Sequence, residues 1–202
     1  CIRDRRWQLW IGDRMHAIFT LPGVSTLTVG VDLMHIKHLG TDKYMYGSVL
    51  YLLCFHVLSL SPLETLKVAA SDIRQYYILH HTQVRYRYMN RISMFLRKSG
   101  FPCLRGKASE VKHLGKAVDA SWRKHMRHDR EIHQQIALML ETNNQVEIVL
   151  DRHKGSYKVP EPDASVLRAS AHSAMQLQQN LRETFRDDEH PLFTVTSKAH
   201  IC

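Results

Sequence analysis

The chain has 202 residues and carries 28 Lys and Arg against 19 Asp and Glu, a formal charge of +9. With 44% hydrophobic and 23% charged residues it has the composition of a folded domain, which excludes wholesale disorder and collagen-like structure. Four cysteines, at positions 1, 54, 103 and 202, form no CxxC pair, so a disulfide scaffold and a cysteine zinc finger are excluded and reduced, intracellular thiols are expected.

The chain opens on Cys1 with no secretory signal and stops at Cys202 after an apolar run, so a fragment of a longer protein is expected. Leu27, Val29 and Val31 alternate with Thr28 and Gly30 after the Pro22-Gly23 turn, which predicts a strand ending at Asp32. Tyr44 to Leu58 is apolar enough for a buried helix, with a strand as the alternative. The stretch Val49 to Leu60 contains His56 and is too short to span a bilayer. Ser61-Pro62-Leu63-Glu64 combines a capping box with proline in the first turn, so a helix starts there and runs to about His80.

Gln83 to Leu96 reads as one or two strands, and Ser99-Gly100-Phe101-Pro102 as a turn. Three helices follow. The first spans about Lys107 to Met126, with Val111, Leu114, Val118 and Trp122 inside. The second spans about Arg130 to His153, with Ile132, Ile136, Met139 and Leu140 inside. The third follows Pro160 and Pro162, is capped by Asp163, and carries a stripe of Leu167, Ala174, Leu177, Leu181 and Phe185. Leu192 to Thr196 reads as the start of a strand. This order predicts an α/β to α+β, helix-rich chain. Its first part, 1–60, belongs to an α/β core, 61–190 is mainly helical, and 191–202 begins a further strand.

The positive charge is local. Between Arg85 and Arg127 lie twelve Lys and Arg against two Asp and Glu, while the flanking regions together are near neutral. Such a concentration is the electrostatic footprint of a polyanion-binding surface, or else a solvated basic face. Arg85 and Arg87 alternate with Tyr86 and Tyr88. On a strand this places the arginines on one face and both tyrosines on the other, toward the core. Arg85, Arg87, Arg91, Arg97, Lys98, Arg105, Lys107 and Lys112 are the candidates for phosphate contact.

The densest polar cluster is Val31-Asp32-Leu33-Met34-His35-Ile36-Lys37-His38-Leu39-Gly40. A strand-borne Asp32 followed one turn later by His35 can place oxygen and nitrogen ligands at one cavity, suited to Mg²⁺ or Mn²⁺. The alternative is that Asp32 caps the next helix with His35 as its partner. Glu110 falls in the first turn of a predicted helix and is the only acid between Asp72 and Asp119. It is either a metal-holding group or a dipole-complementing and ion-pairing one. Asp13 is a third candidate acid. His125, His128 and His133 do not share one helical face and read as surface histidines. No HExxH, GxSxG, Walker loop or GxGxxG is present, which removes the usual support for zinc proteases, serine hydrolases, P-loop enzymes and dinucleotide enzymes.

Asp32-Leu33-Met34-His35, followed by His38-Leu39-Gly40, resembles the transposase-derived proteins of eukaryotic cut-and-paste DNA elements. Val195-Thr196-Ser197-Lys198-Ala199-His200 resembles a Thr-Pro-Lys-x-His string of the same proteins, with Ser197 in place of the proline. Phe101 to Glu110 is similar to uncharacterised mobile-element proteins of protists. The resemblance covers about a quarter of the chain. It implies a ribonuclease-H-like core fragment with a mainly helical insertion and metal-dependent DNA cleavage or strand transfer, in a nuclear protein. Asp32 and Glu110 would hold Mg²⁺ or Mn²⁺, His35 would assist, and Asp13 would replace Asp32 where the Asp-x-x-His string lies downstream of the second aspartate. The rival expectation is a non-catalytic nucleic-acid-binding or scaffold protein, and homo-oligomerisation is open in both.

Overall fold

A computed structural model describes residues 34–96, 100–156, 158–187 and 190–195. A continuous helical rod comes first. Wide i→i+5 turns cover Met34–Asp42, α1 covers Lys43–Leu52, and a second wide-turn segment covers Leu53–Val57. α2 (Pro62–Leu79), a short 3₁₀ turn (Ile92–Met94), α3 (Ala108–His125), α4 (Glu131–Arg152) and α5 (Glu161–Thr184) follow.

α1 is apolar on every side: Met45 to Leu52 are all buried. A helix with no polar face belongs at the centre of a bundle, and α1 packs on α3 while α2 covers the second wide-turn segment. The capping box read from the sequence forms at α2. Glu64 N–H donates to Ser61 Oγ at 3.4 Å and Ser61 N–H to Glu64 Oε2 at 3.1 Å. Its far end closes with two reverse bonds, Thr82 N–H to Tyr77 O at 3.0 Å and His81 N–H to Ile78 O at 3.3 Å. This is the Schellman arrangement, with His81 at φ 50° where glycine is usual.

The expected inner face of α3 is buried. Val111, Leu114, Val118 and Trp122 are fully covered, and Trp122 Nε1–H donates to His133 O at 3.0 Å. Gly115 lets α3 approach its neighbours closely, since a Cβ there would stand 2.4 Å from Tyr46 Oη and 2.9 Å from Asn144 Oδ1. α4 buries Ile136, Met139 and Leu140 as expected. α5 begins at Glu161, earlier than expected. Asp163 therefore lies inside its first turn rather than capping it, and binds Arg152 at 2.9 Å and His153 at 2.5 Å on the end of α4.

The α/β expectation is overturned. The described residues are helix-rich and contain no strand or sheet, so they do not form a ribonuclease-H-like core. Gln83 to Leu96 was expected in one or two strands, but its backbone is satisfied piecemeal. Tyr86 N–H donates to Tyr77 Oη at 3.4 Å, while Phe95 O and Met94 O accept from Cys103 N–H at 2.6 Å and Arg105 N–H at 2.9 Å. Leu192 to Val195 is not a strand either. Phe193 has φ 55°, outside the extended region, and its N–H donates to Ser48 Oγ at 2.9 Å while Thr194 O accepts from Gln178 at 2.8 Å. Side chains have taken the bonds that a neighbouring strand would supply. The predicted strand Leu27–Val31 lies outside the described residues.

The histidine reading changes too. His133 is buried, and its Nδ1 accepts from Arg127 N–H at 2.9 Å, so the ring closes the α3–α4 turn rather than facing water. His125 is half-buried and binds Asp72 on α2 at 2.7 Å, while His128 is exposed.

Candidate functional site

Two groupings of polar side chains emerge. The first is a buried charge cluster where the first wide-turn segment packs on α3 and meets side chains from α4. In an i→i+5 turn, residues four and five apart straddle the same side of the helix axis. Lys37 and His38 are thereby both brought onto Asp42. Lys37 Nζ lies 2.8 Å from Asp42 Oδ2, and His38 Nδ1–H donates to the same oxygen at 3.1 Å. From α4, Asn143 Nδ2–H donates to Asp42 Oδ1 at 3.1 Å and to Tyr46 Oη at 2.9 Å.

Glu147, one turn further along α4, approaches Lys37 Nζ at 3.2 Å, His38 Nε2 at 3.8 Å and, from α3, Lys112 Nζ at 3.3 Å. Lys112 also binds Asp151 at 2.5 Å. Glu147 Oε2 is sealed from solvent, with the Lys37 ammonium 3.2 Å away. Burial pushes the Asp42 carboxyl up, but the Lys37 charge and the bonds from His38 and Lys37 outweigh it and hold Asp42 below its ordinary value. Burial pushes Lys37 down, and Asp42 and Glu147 together raise it above its ordinary value. The Tyr46 hydroxyl, buried beside these acids, is pushed well up.

His38, Asp42 and Glu147 could hold a metal ion, since one ligand atom from each lies within 4.8 Å of the others. The donor set of one imidazole and two carboxylates suits Mn²⁺ better than Mg²⁺, which prefers oxygen alone. Lys37 decides the fit. Its ammonium already occupies the position between the two carboxylates, so a metal ion fits only if that side chain withdraws.

The second grouping is a cleft of about 510 Å³ beside the turn at 86–94 and the start of α3. Tyr88, Asn90, Arg91, Ser93, Arg105, Lys107 and Glu110 line it. Tyr86 forms its inner wall: the ring is buried and its hydroxyl donates to Arg105 O. Gly106 makes this possible, because a Cβ there would come within 2.7 Å of the Tyr86 ring. A second concavity, lined by Arg74, Arg85, Arg87 and Tyr77, also borders Tyr86.

The expected site residues are thus distributed. Asp13 and Asp32 lie outside the described residues, as do Arg97 and Lys98. His35 is exposed on the first wide-turn segment. Glu110 caps α3, its Oε2 accepting from Lys107 N–H at 2.9 Å, and borders the cleft. Arg85 donates to Thr82 O at 2.8 Å. Arg87, Arg91, Arg105 and Lys107 are exposed and make no ion pair among the described residues, whereas Lys112 is committed to Glu147 and Asp151. The cluster of Asp42, Asn143 and Glu147 was not found from sequence. Its one local signal is the i, i+4 spacing of His38 and Asp42, and nothing links those residues to α4.

No protein-family model, curated protein or solved structure matches the chain. No helix among the described residues is long and apolar enough to cross a membrane.

Proposed function

We propose that this chain binds nucleic acid, with the cleft of Arg91, Arg105 and Lys107 as its contact surface. One observation carries this reading: several cations of the basic zone are spent in ion pairs, while three that are not line one cleft. Lys112, Arg123 and Lys124 are engaged with Asp151 and Glu147, with Asp119 and Glu141, and with Asp72. Arg91, Arg105 and Lys107 are not engaged and converge on one concavity. Exposed cations outside any ion pair, gathered around a cleft that holds the single acid Glu110, fit a polyanion that supplies further negative charge.

Anisotropy with labelled DNA across a salt series tests the reading. Each phosphate contact contributes a slope of about −0.9 in log affinity against log salt. Arg105→Ala should weaken binding and flatten the slope by about one phosphate contact. Affinity indifferent to salt would remove phosphate contact as the role of this surface.

A second reading is metal-dependent DNA cleavage or strand transfer of the transposase type, favoured by the convergence of His38, Asp42 and Glu147. Mn²⁺ or Mg²⁺ bound there would supply Lewis-acid chemistry at a phosphodiester. The chain's own part would be to hold the carboxylates rigidly on two helices, with Asn143 fixing Asp42 and Lys37 withdrawing. Calorimetric titration with Mn²⁺, set beside a plasmid-cleavage assay, tests it. Neither binding nor cleavage would leave the non-catalytic reading.

A further inference from the structure

We infer that the cleft takes single-stranded nucleic acid and that the ring of Tyr88 is a stacking platform for one of its bases. The inference rests on the nucleic-acid reading above and names its substrate class. Tyr86 and Tyr88, two residues apart, have opposite fates. Tyr86 is 5% exposed and forms the cleft wall, whereas Tyr88 is 64% exposed and stacks on no other ring among the described residues. A large aromatic side chain left in water loses the stabilisation of burial, and here it stands among Arg91, Arg105 and Lys107. A duplex offers phosphates to such cations but keeps its base faces stacked on one another. Only an unstacked base can lie on an exposed ring while its phosphates meet the neighbouring cations.

The rest of the lining agrees. Asn90 and Ser93 are uncharged groups able to pair with base edges. Glu110 also borders the cleft, with one oxygen held by Lys107 N–H. A carboxylate there repels phosphate and accepts hydrogen bonds from an exocyclic amine, so that end of the cleft favours a base over free phosphate.

The test is anisotropy of the full chain with a labelled single strand of adenine and cytosine, which cannot pair with itself, and a duplex of equal length, comparing wild type, Tyr88→Ala and Tyr88→Phe. Tyr88 is mostly solvent-exposed, so both variants should melt with the wild type, which separates binding from folding. Tyr88→Ala should weaken the single strand about tenfold and leave the duplex within about twofold, while Tyr88→Phe should bind the single strand within about twofold of wild type. An unchanged single-strand affinity in Tyr88→Ala, an equal loss for the duplex, or an equal loss in Tyr88→Phe would overturn the inference. Absence of salt-dependent binding of either probe to the wild type would overturn it together with the nucleic-acid reading beneath it. Salt-dependent binding that ignores Tyr88 would overturn the inference and leave the nucleic-acid reading standing.

Discussion

Asn143 donates to Asp42 at 3.1 Å although 101 residues of chain separate them. With Lys37 and His38 on the other oxygen, both oxygens of a fully buried carboxylate are satisfied. A buried charge is tolerated only on these terms. The same bond ties α4 to the first helical rod, so the polar cluster is also a joint of the bundle.

Asp42→Asn should therefore destabilise strongly, by about 3–5 kcal/mol, because it leaves the Lys37 ammonium buried without its nearest counter-charge. The pH dependence has a defined sign. The Asp42 carboxyl lies below its ordinary 3.8 in the folded chain, so its contribution is present above pH 3.8 and lost as pH falls through the lower folded value. Lys37 is raised above 10.5, so its contribution is complete below pH 10.5 and lost as pH rises through the folded value. Urea midpoints measured from about pH 1.5 to 7 should fall below pH 3.8 in the wild type and change less in Asp42→Asn. Equal acid limbs in the two proteins would mean that other carboxylates dominate acid unfolding.

Gly115→Ala should destabilise by about 1–3 kcal/mol despite the better helix propensity of alanine. Its Cβ would meet the buried Tyr46 hydroxyl, which Asn143 holds in place. Thermal unfolding of the double variant Gly115→Ala/Tyr46→Phe checks the cause. Measured against the single variant Tyr46→Phe, which has already lost the bond from Asn143, Gly115→Ala should cost less than it does in the wild type, and an equal cost would place the clash elsewhere.

His81→Gly should stabilise the chain by about 1 kcal/mol, because φ 50° at the end of α2 carries a steric cost for any side chain. The side chain is exposed, so little contact is lost. A lower denaturant midpoint would show that the imidazole makes a compensating contact.

Lys112→Met and Arg105→Ala should separate the two halves of the basic zone. Lys112 neutralises Glu147 and Asp151 at a partly solvated position, so its loss should cost stability, by about 1 kcal/mol after screening, and leave DNA affinity nearly unchanged. Arg105 should show the reverse pattern. Equal loss of DNA affinity in both would return the whole zone to a uniform basic surface.

Helices with a regular apolar stripe or a cap chemistry of their own were legible in the sequence alone. The Ser61–Glu64 capping box, the buried Val111–Leu114–Val118–Trp122 face and the inner face of α4 depend on residues at most a few turns apart. The strands were misread because alternation over a short stretch is ambiguous. Arg85 to Tyr88 alternates as a strand would, but pairing needs a partner backbone, and Tyr77 Oη and the 103–105 segment supplied the bonds instead. The same event turned Tyr86 inward and left Tyr88 in water.

The sequence by itself determined that the charge of +9 is concentrated between Arg85 and Arg127, because charge is a property of composition. Which of those cations face solvent unpaired, and which are consumed by acids on another helix, only the tertiary structure decided. Ion pairing depends on distances of a few ångströms between residues far apart in the chain, and helix packing sets those distances.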